Sequence, residues 1–251
     1  MILLKQPFLT LCVIPSIIAG ILIGFYFSGI PALQYLVSPD IGGDNFSGSD
    51  SGIQDREFGS LEILQNIYLL VIVVVAAIGV SIHPDVWMRR LLWVGIAGAV
   101  LVLLEEIDYG LHFFEAALGH EVRPTEERNL HNKGGSLRII KIVMDAGIIL
   151  FFFVFPLVVT FNRPLRERLR WIAPSLWFGL AMILSKVHSE VAHFLDHRIE
   201  MAYHPLHHNV SEFRELTFYY VVMIYVFDIA ILRPKQARRA ASNSPDPSAI
   251  E

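Results

Sequence analysis

The chain has 251 residues, 54% of them hydrophobic and only 18% charged, with a mean hydropathy of +0.51. Soluble domains carry about a quarter of their residues as charges. Here the apolar residues also come in long blocks, which excludes a soluble, disordered or collagen-like chain. A formal net charge of −4 gives no case for a nucleic-acid partner, and the single Cys12 excludes both a disulfide framework and a thiolate zinc cluster.

A helix crosses the ~30 Å hydrocarbon core of a bilayer with about 20 mostly apolar residues. Six blocks meet that need: Pro7–Gly29, Ile63–Ile82, Leu91–Ala117, Ile139–Phe161, Trp171–Lys186 and Glu215–Leu232. They predict an all-α polytopic bundle of six transmembrane helices. The first run is longer than the roughly 7–15 apolar residues of a signal peptide and lacks an A-x-A-like cleavage site, so it reads as a retained span. Pro15, Pro156 and Pro174 fall inside spans, where neighbouring helices re-satisfy the backbone groups that proline frees. Residues 38–60, rich in Gly, Ser and Asp, read as an exterior loop. Residues 1–232 are expected to form one transmembrane domain, and 233–251 a disordered cytoplasmic tail.

Orientation follows from the basic residues. With both termini on one side, that side holds Lys5, Arg89, Arg90, Arg163, Arg166, Arg168, Arg170, Arg233, Lys235, Arg238 and Arg239, against only Asp85, Glu167, Asp228, Asp246 and Glu251. Short, basic connections are the mark of the cytoplasmic face, so both ends are expected there.

The opposite side gathers the costly groups, and ionisable side chains within a span are functional candidates by default. Leu91–Leu104 is a chargeless stretch of about 21 Å, followed by E-E-I-D-Y-G-L-H-F-F-E at 105–115. Glu105 is thus expected about 9 Å beneath the outer surface, with Asp145 of the antiparallel fourth span at a similar depth. Glu105, Asp108, His112 and Glu115 recur at helical spacing on one stripe, with Glu106 turned about 100° away. In the fifth span Lys186, Glu190, His193 and His197 form a second stripe, and His193 and His197 stand one turn apart as metal-binding imidazoles do. H-P-L-H-H at 204–208 adds three more histidines, and of all ten only His83 lies on the basic side.

Imidazole with carboxylate suits a divalent metal, zinc above all, with iron or manganese as alternatives. The expected metal ligands are Asp108, His112, His193 and His197, with His131, His188 and Glu190 in support. Glu105, Glu106 and Asp145 are candidate general bases, and Lys186 would stabilise a developing anion. The chemistry this points to is hydrolysis or group transfer at the outer leaflet, on a lipid or lipid-linked substrate. Buried carboxylates equally fit a proton- or ion-coupled transporter, and outer histidines a non-catalytic metal or pH sensor.

Three resemblances bear on this. His193–His197 with His204–His208 is similar to the histidine boxes of membrane di-iron desaturases, although no further box follows His208. Ser189–His193 and His204–His208 resemble elements of alkaline-ceramidase-like membrane hydrolases, which implies a bound zinc. L-E-E-I-D-Y-G-L-H-F-F at 104–114, followed by E-E-R-N-L-H-N at 126–132, resembles a family of uncharacterised polytopic bacterial membrane proteins. That resemblance implies a bacterial inner membrane location and no particular activity.

Overall fold

The computed structural model describes residues 6–38, 59–107, 136–169, 171–199 and 210–242, and every regular element among them is helical. A wide π-helical turn, Leu9–Val13, runs into α1 (Ile14–Tyr26), and the short α2 (Pro31–Val37) follows. Next come α3 (Ser60–Ile82), α4 (Val86–Glu106) and α5 (Ser136–Ile149). A second π-helical turn, Leu150–Val154, joins α5 to α6 (Phe155–Phe161), and α7 (Arg163–Leu169) and α8 (Leu176–Asp196) succeed it. Last is α9 (Glu212–Phe227), which passes through a third such turn, Asp228–Leu232, into α10 (Arg233–Ser242).

Among the described residues, four helical runs are long and apolar enough to cross a membrane: Leu9–Tyr26, Ser60–Ile82, Val86–Glu106 and Glu212–Arg238. Asp145–Phe161 is a shorter apolar run. The exterior of the bundle is apolar, with Ile21, Ile67, Val74, Trp93, Val94 and Leu101 all exposed. Its interior holds polar groups, among them Glu62, Gln65, His188, Asp196, Glu212 and Thr217. Such a surface would not stay in water unpartnered. It suits lipid, and the chain is an integral membrane protein in its architecture.

The helix ends depart from the apolar blocks in three places. The third block was expected at Leu91–Ala117, but the helix spans Val86–Glu106. The reason is a cap: the Asp85 carboxylate accepts from the Trp87 N–H at 2.6 Å and from the Met88 N–H at 3.3 Å, which starts the helix five residues early. Glu105 therefore stands about 28 Å along the helix, near its far end. The fifth block was drawn from Trp171 through Pro174. The helix begins only at Leu176, after Pro174, and runs on past Lys186 to Asp196. The tail expected to be disordered from Arg233 continues as helix to Ser242.

Pro15 and Pro156 do lie inside apolar helices, and Pro234 joins them. Each stands two residues beyond a π-helical turn, at Leu9–Val13, Leu150–Val154 and Asp228–Leu232. Proline has no N–H for the carbonyl four residues back, and its ring clashes with that carbonyl. Widening the preceding turn relieves the clash: the N–H just before each proline donates five residues back, to Leu9, Leu150 and Asp228. At two of these turns a neighbouring helix approaches closely. A Cβ on Gly79 of α3 would lie 2.6 Å from the Ala230 Cβ, and one on Gly179 of α8 would lie 2.7 Å from the Phe152 oxygen. Ala230 and Phe152 are the residues four before Pro234 and Pro156.

Packing makes α9 the hub. It contacts α3, α8 and α1, whereas α4 packs mainly on α3, from which only His83, Pro84 and Asp85 separate it. Within Glu212–Arg238, 72% of the most apolar stretch is buried, against 17% for Val86–Glu106. The buried face of α9 is rich in aromatics: Tyr220 meets Tyr68 of α3 edge-on, and Tyr225 meets Phe178 of α8. Polar groups on α9 are thus held inside the bundle, and those on α4 reach it only near the helix end.

Candidate functional site

The acidic end of the bundle is built from α3, α4 and α9. Glu62 and Gln65 lie three residues apart on one face of α3 and are both buried. Gln65 Nε2 donates to the Glu212 main-chain oxygen at 3.0 Å and to the Glu212 carboxylate at 3.3 Å. Its own Oε1 is buried and accepts no hydrogen bond among the described residues. Glu212, Glu215 and Tyr219 recur at three and four residues on α9, again one face. The Tyr219 hydroxyl donates to Glu106 Oε1 at 2.8 Å, and Glu212 and Glu215 both lie within electrostatic reach of that hydroxyl. Glutamates from different helices therefore share one polar region. Glu212 and Glu215 also occupy the first turn of α9, where the exposed N–H groups favour negative charge.

Beside this region Arg214 of α9 donates to Asp145 of α5 in a half-exposed ion pair. Asp145 is thereby matched in level with the start of α9, with the Arg214 cation as its partner.

One histidine is built into the core. The Thr217 hydroxyl donates to the Phe213 carbonyl at 3.3 Å, so its oxygen can accept from His188 Nδ1–H at 2.9 Å. His188 Nε2 then accepts from the Ser16 hydroxyl at 3.1 Å, and both ring nitrogens of a neutral imidazole are engaged. The bonds tie α8 to α9 and α1.

The stripe of Lys186, Glu190, His193 and His197 exists on α8, but it faces away from α9. Lys186 and Glu190 pair with each other at 2.8 Å, each side chain 59% exposed. His193 is half-buried and His197 caps the helix end, exposed. The opposite face of α8, with Phe178, Ala181, Ser185, His188, Ser189 and Ala192, is the buried one. α4 packs on α3 and α8 on α9. Asp108, His112 and His131 lie outside the described residues, as do His204, His207 and His208. Among the described residues no three His, Cys, Asp or Glu side chains are placed to hold one metal ion.

The basic end is equally ordered. Asp228 and Arg233 form a largely buried pair at 2.7 Å, and Arg233 also donates to the Ala173 carbonyl at 3.0 Å. The Tyr225 hydroxyl donates to the Ile172 carbonyl at 2.5 Å, and Arg238 reaches across to the Ile82 carbonyl at 2.8 Å. Burial, with the charges of Arg238 and Arg89, holds His83 below the ordinary histidine range, and Asp85 opposes that shift.

Glu62, Gln65, Glu212, Glu215, Tyr219 and Arg214 were not singled out from the sequence. Glu62 sits just ahead of the second apolar block, and Gln65 falls within its first turn. The next three share a helical face that the boundary drawn at Glu215 cut through.

No protein-family model, curated protein or solved structure matches this chain.

Proposed function

We propose that the protein is a six-span enzyme of the bacterial inner membrane, both termini cytoplasmic, that uses a divalent metal at its acidic end to hydrolyse or transfer a lipid or lipid-linked substrate. The observation that carries this reading is the gathering of Glu106 and Glu212, from two helices, around Tyr219, with buried Glu62 and the unaccepted Gln65 oxygen on a third. Carboxylate and amide oxygens converging from several helices are the kind of donor set that a divalent cation takes. Glu106 and Glu212 would be the described part of the ligand set. Asp108 and His112, which follow α4 directly in the chain, would complete it with zinc, iron or manganese. The metal would activate a water, and a glutamate at the rim would take its proton. Lys186 and Glu190 have no part in this version of the site.

Metal analysis of the detergent-purified full chain tests the reading. Stoichiometric metal in the wild type, lost in Glu106→Gln and in His112→Ala, is expected, together with cleavage of a fluorescent phospholipid. Wild type that stays metal-free after metal-replete purification overturns it.

One observation favours proton-coupled transport instead: α9 carries buried polar groups at successive levels, from Glu212 through Thr217 and Tyr220 to Asp228. Yet the Tyr220 and Tyr225 hydroxyls are spent on the Thr10 and Ile172 carbonyls, which supports a structural role for that column. Proton flux in proteoliposomes lost in Asp228→Asn would favour transport.

A further inference from the structure

Two adjoining concavities open at the basic end, far from the acidic region. The first, about 260 Å³, is lined by His83, Pro84, Asp85, Trp171, Pro234 and Arg238 among others. The second, about 360 Å³, shares Asp85 and Trp171 with it and adds Trp87 and Arg168. They lie where α3 ends, α4 begins and α9 passes into α10, at one end of the long apolar helices.

His83 is the informative residue. It is only 7% exposed, and its Nδ1 accepts from the Asp85 N–H at 3.2 Å. A neutral ring that accepts at Nδ1 carries its proton on Nε2. His83 lines the first cavity, and its Nε2 is buried behind that wall with no acceptor among the described residues. A buried donor left unpaired costs about 1–3 kcal/mol. The adjacent Arg238 uses one guanidinium nitrogen on the Ile82 carbonyl, and its remaining donors face no other partner among the described residues. Asp85 is the one carboxylate on the walls, and it is engaged with the first N–H groups of α4. Arg238 and Arg168 outnumber it. Trp171 and Trp87 offer apolar sides of the kind that sit at headgroup level.

We propose that this basic rim binds a phosphate group, held by the Arg238 guanidinium with Arg168 adding charge, a small turn of the buried His83 ring bringing its Nε2–H to a further oxygen. A phosphate oxygen is the acceptor that the histidine lacks, and arginine holds phosphate by parallel hydrogen bonds. In place, the group would be the headgroup of an anionic phospholipid, or phosphate on a soluble ligand. The proposal is independent of the acidic end.

The test uses the full chain in a neutral detergent and fluorescent phosphatidylglycerol. Saturable binding is expected, with phosphatidylcholine competing at least tenfold more weakly. Arg238→Gln should weaken binding about tenfold, as losing a charge-assisted hydrogen bond does. Arg163→Gln, exposed and paired with Glu167 away from both cavities, should leave it unchanged. Should Arg238→Gln fold poorly, His83→Phe provides a second variant, with the same expected loss. Competition by inorganic phosphate alone assigns a soluble source, and its failure beside saturable lipid binding assigns the headgroup. The proposal is overturned if neither phosphate nor phosphatidylglycerol binds, or if Arg163→Gln weakens binding as much as Arg238→Gln does.

Discussion

Replacing Gly179 with alanine puts a methyl group 2.7 Å from the main-chain oxygen of Phe152 and 3.4 Å from the Phe153 ring. The ring can yield, but the oxygen belongs to the widened turn ahead of Pro156 and cannot rotate away. Ordinary contact lies at about 3.4 Å, so α8 and that turn must part by about 0.7 Å along a face filled by Phe152, Phe178 and Tyr225. Overpacking of this kind costs about 1–3 kcal/mol. Alanine returns up to about 1 kcal/mol through its better helix propensity. The net expectation is a loss of up to about 2 kcal/mol, or up to roughly 8 °C in Tm for a chain of this size, and of about 1–3 kcal/mol relative to a glycine-to-alanine change that meets no clash. Gly98 on α4 is the internal control, because a Cβ there meets nothing within 4 Å. Gly98→Ala should be neutral or slightly stabilising. Thermal unfolding in one detergent, with both variants beside wild type, reads the difference. If Gly179→Ala melts with or above Gly98→Ala, helices do not approach closely at the proline-widened turns and the packing argument fails.

Tyr219→Phe removes the donor to Glu106 and should cost about 1–3 kcal/mol, since the bond is charge-assisted; denaturant titration checks it, and a neutral result would place Glu106 elsewhere. The Asp145–Arg214 pair is 49% and 30% exposed, so solvent screening limits its coupling to about 0.5–1 kcal/mol. A double-mutant cycle with Asp145→Asn and Arg214→Gln should return that value and lose it in high salt. His83 resists protonation in the fold relative to its ordinary 6.5. The unfolded chain then binds the extra proton first. Stability that is full above about pH 6.5 must fall as pH drops towards the folded value, and level off below it. His83→Gln should flatten that slope below about pH 6.5, and an unchanged slope would assign the titration to another group.

The membrane-crossing stretches that were legible were those set by hydropathy alone. Ile63–Ile82 lies within the observed Ser60–Ile82, and Pro7–Gly29 encloses Leu9–Tyr26. Helix starts were less legible because a cap outweighs hydropathy locally: Asp85 draws the third helix back across two arginines. The stripe of Lys186, Glu190, His193 and His197 was legible as a helical face, and its direction was not. Both faces of α8 carry polar groups, and spacing alone gave no reason to send His188 inward and Lys186 outward.

Composition and block length by themselves determined that this chain is helical and apolar enough for a bilayer, and that its charges divide into a basic and an acidic end. Those are properties each residue carries on its own, summed along a segment. Only the tertiary structure decided that α9 is the hub, that Gln65 meets Glu212, and that Tyr219 meets Glu106. These contacts join residues 147 and 113 positions apart. They depend on which helix faces pair, and that is settled by close approaches such as Gly79 on Ala230 and Gly179 on Phe152, where fractions of an ångström in packing choose the neighbour.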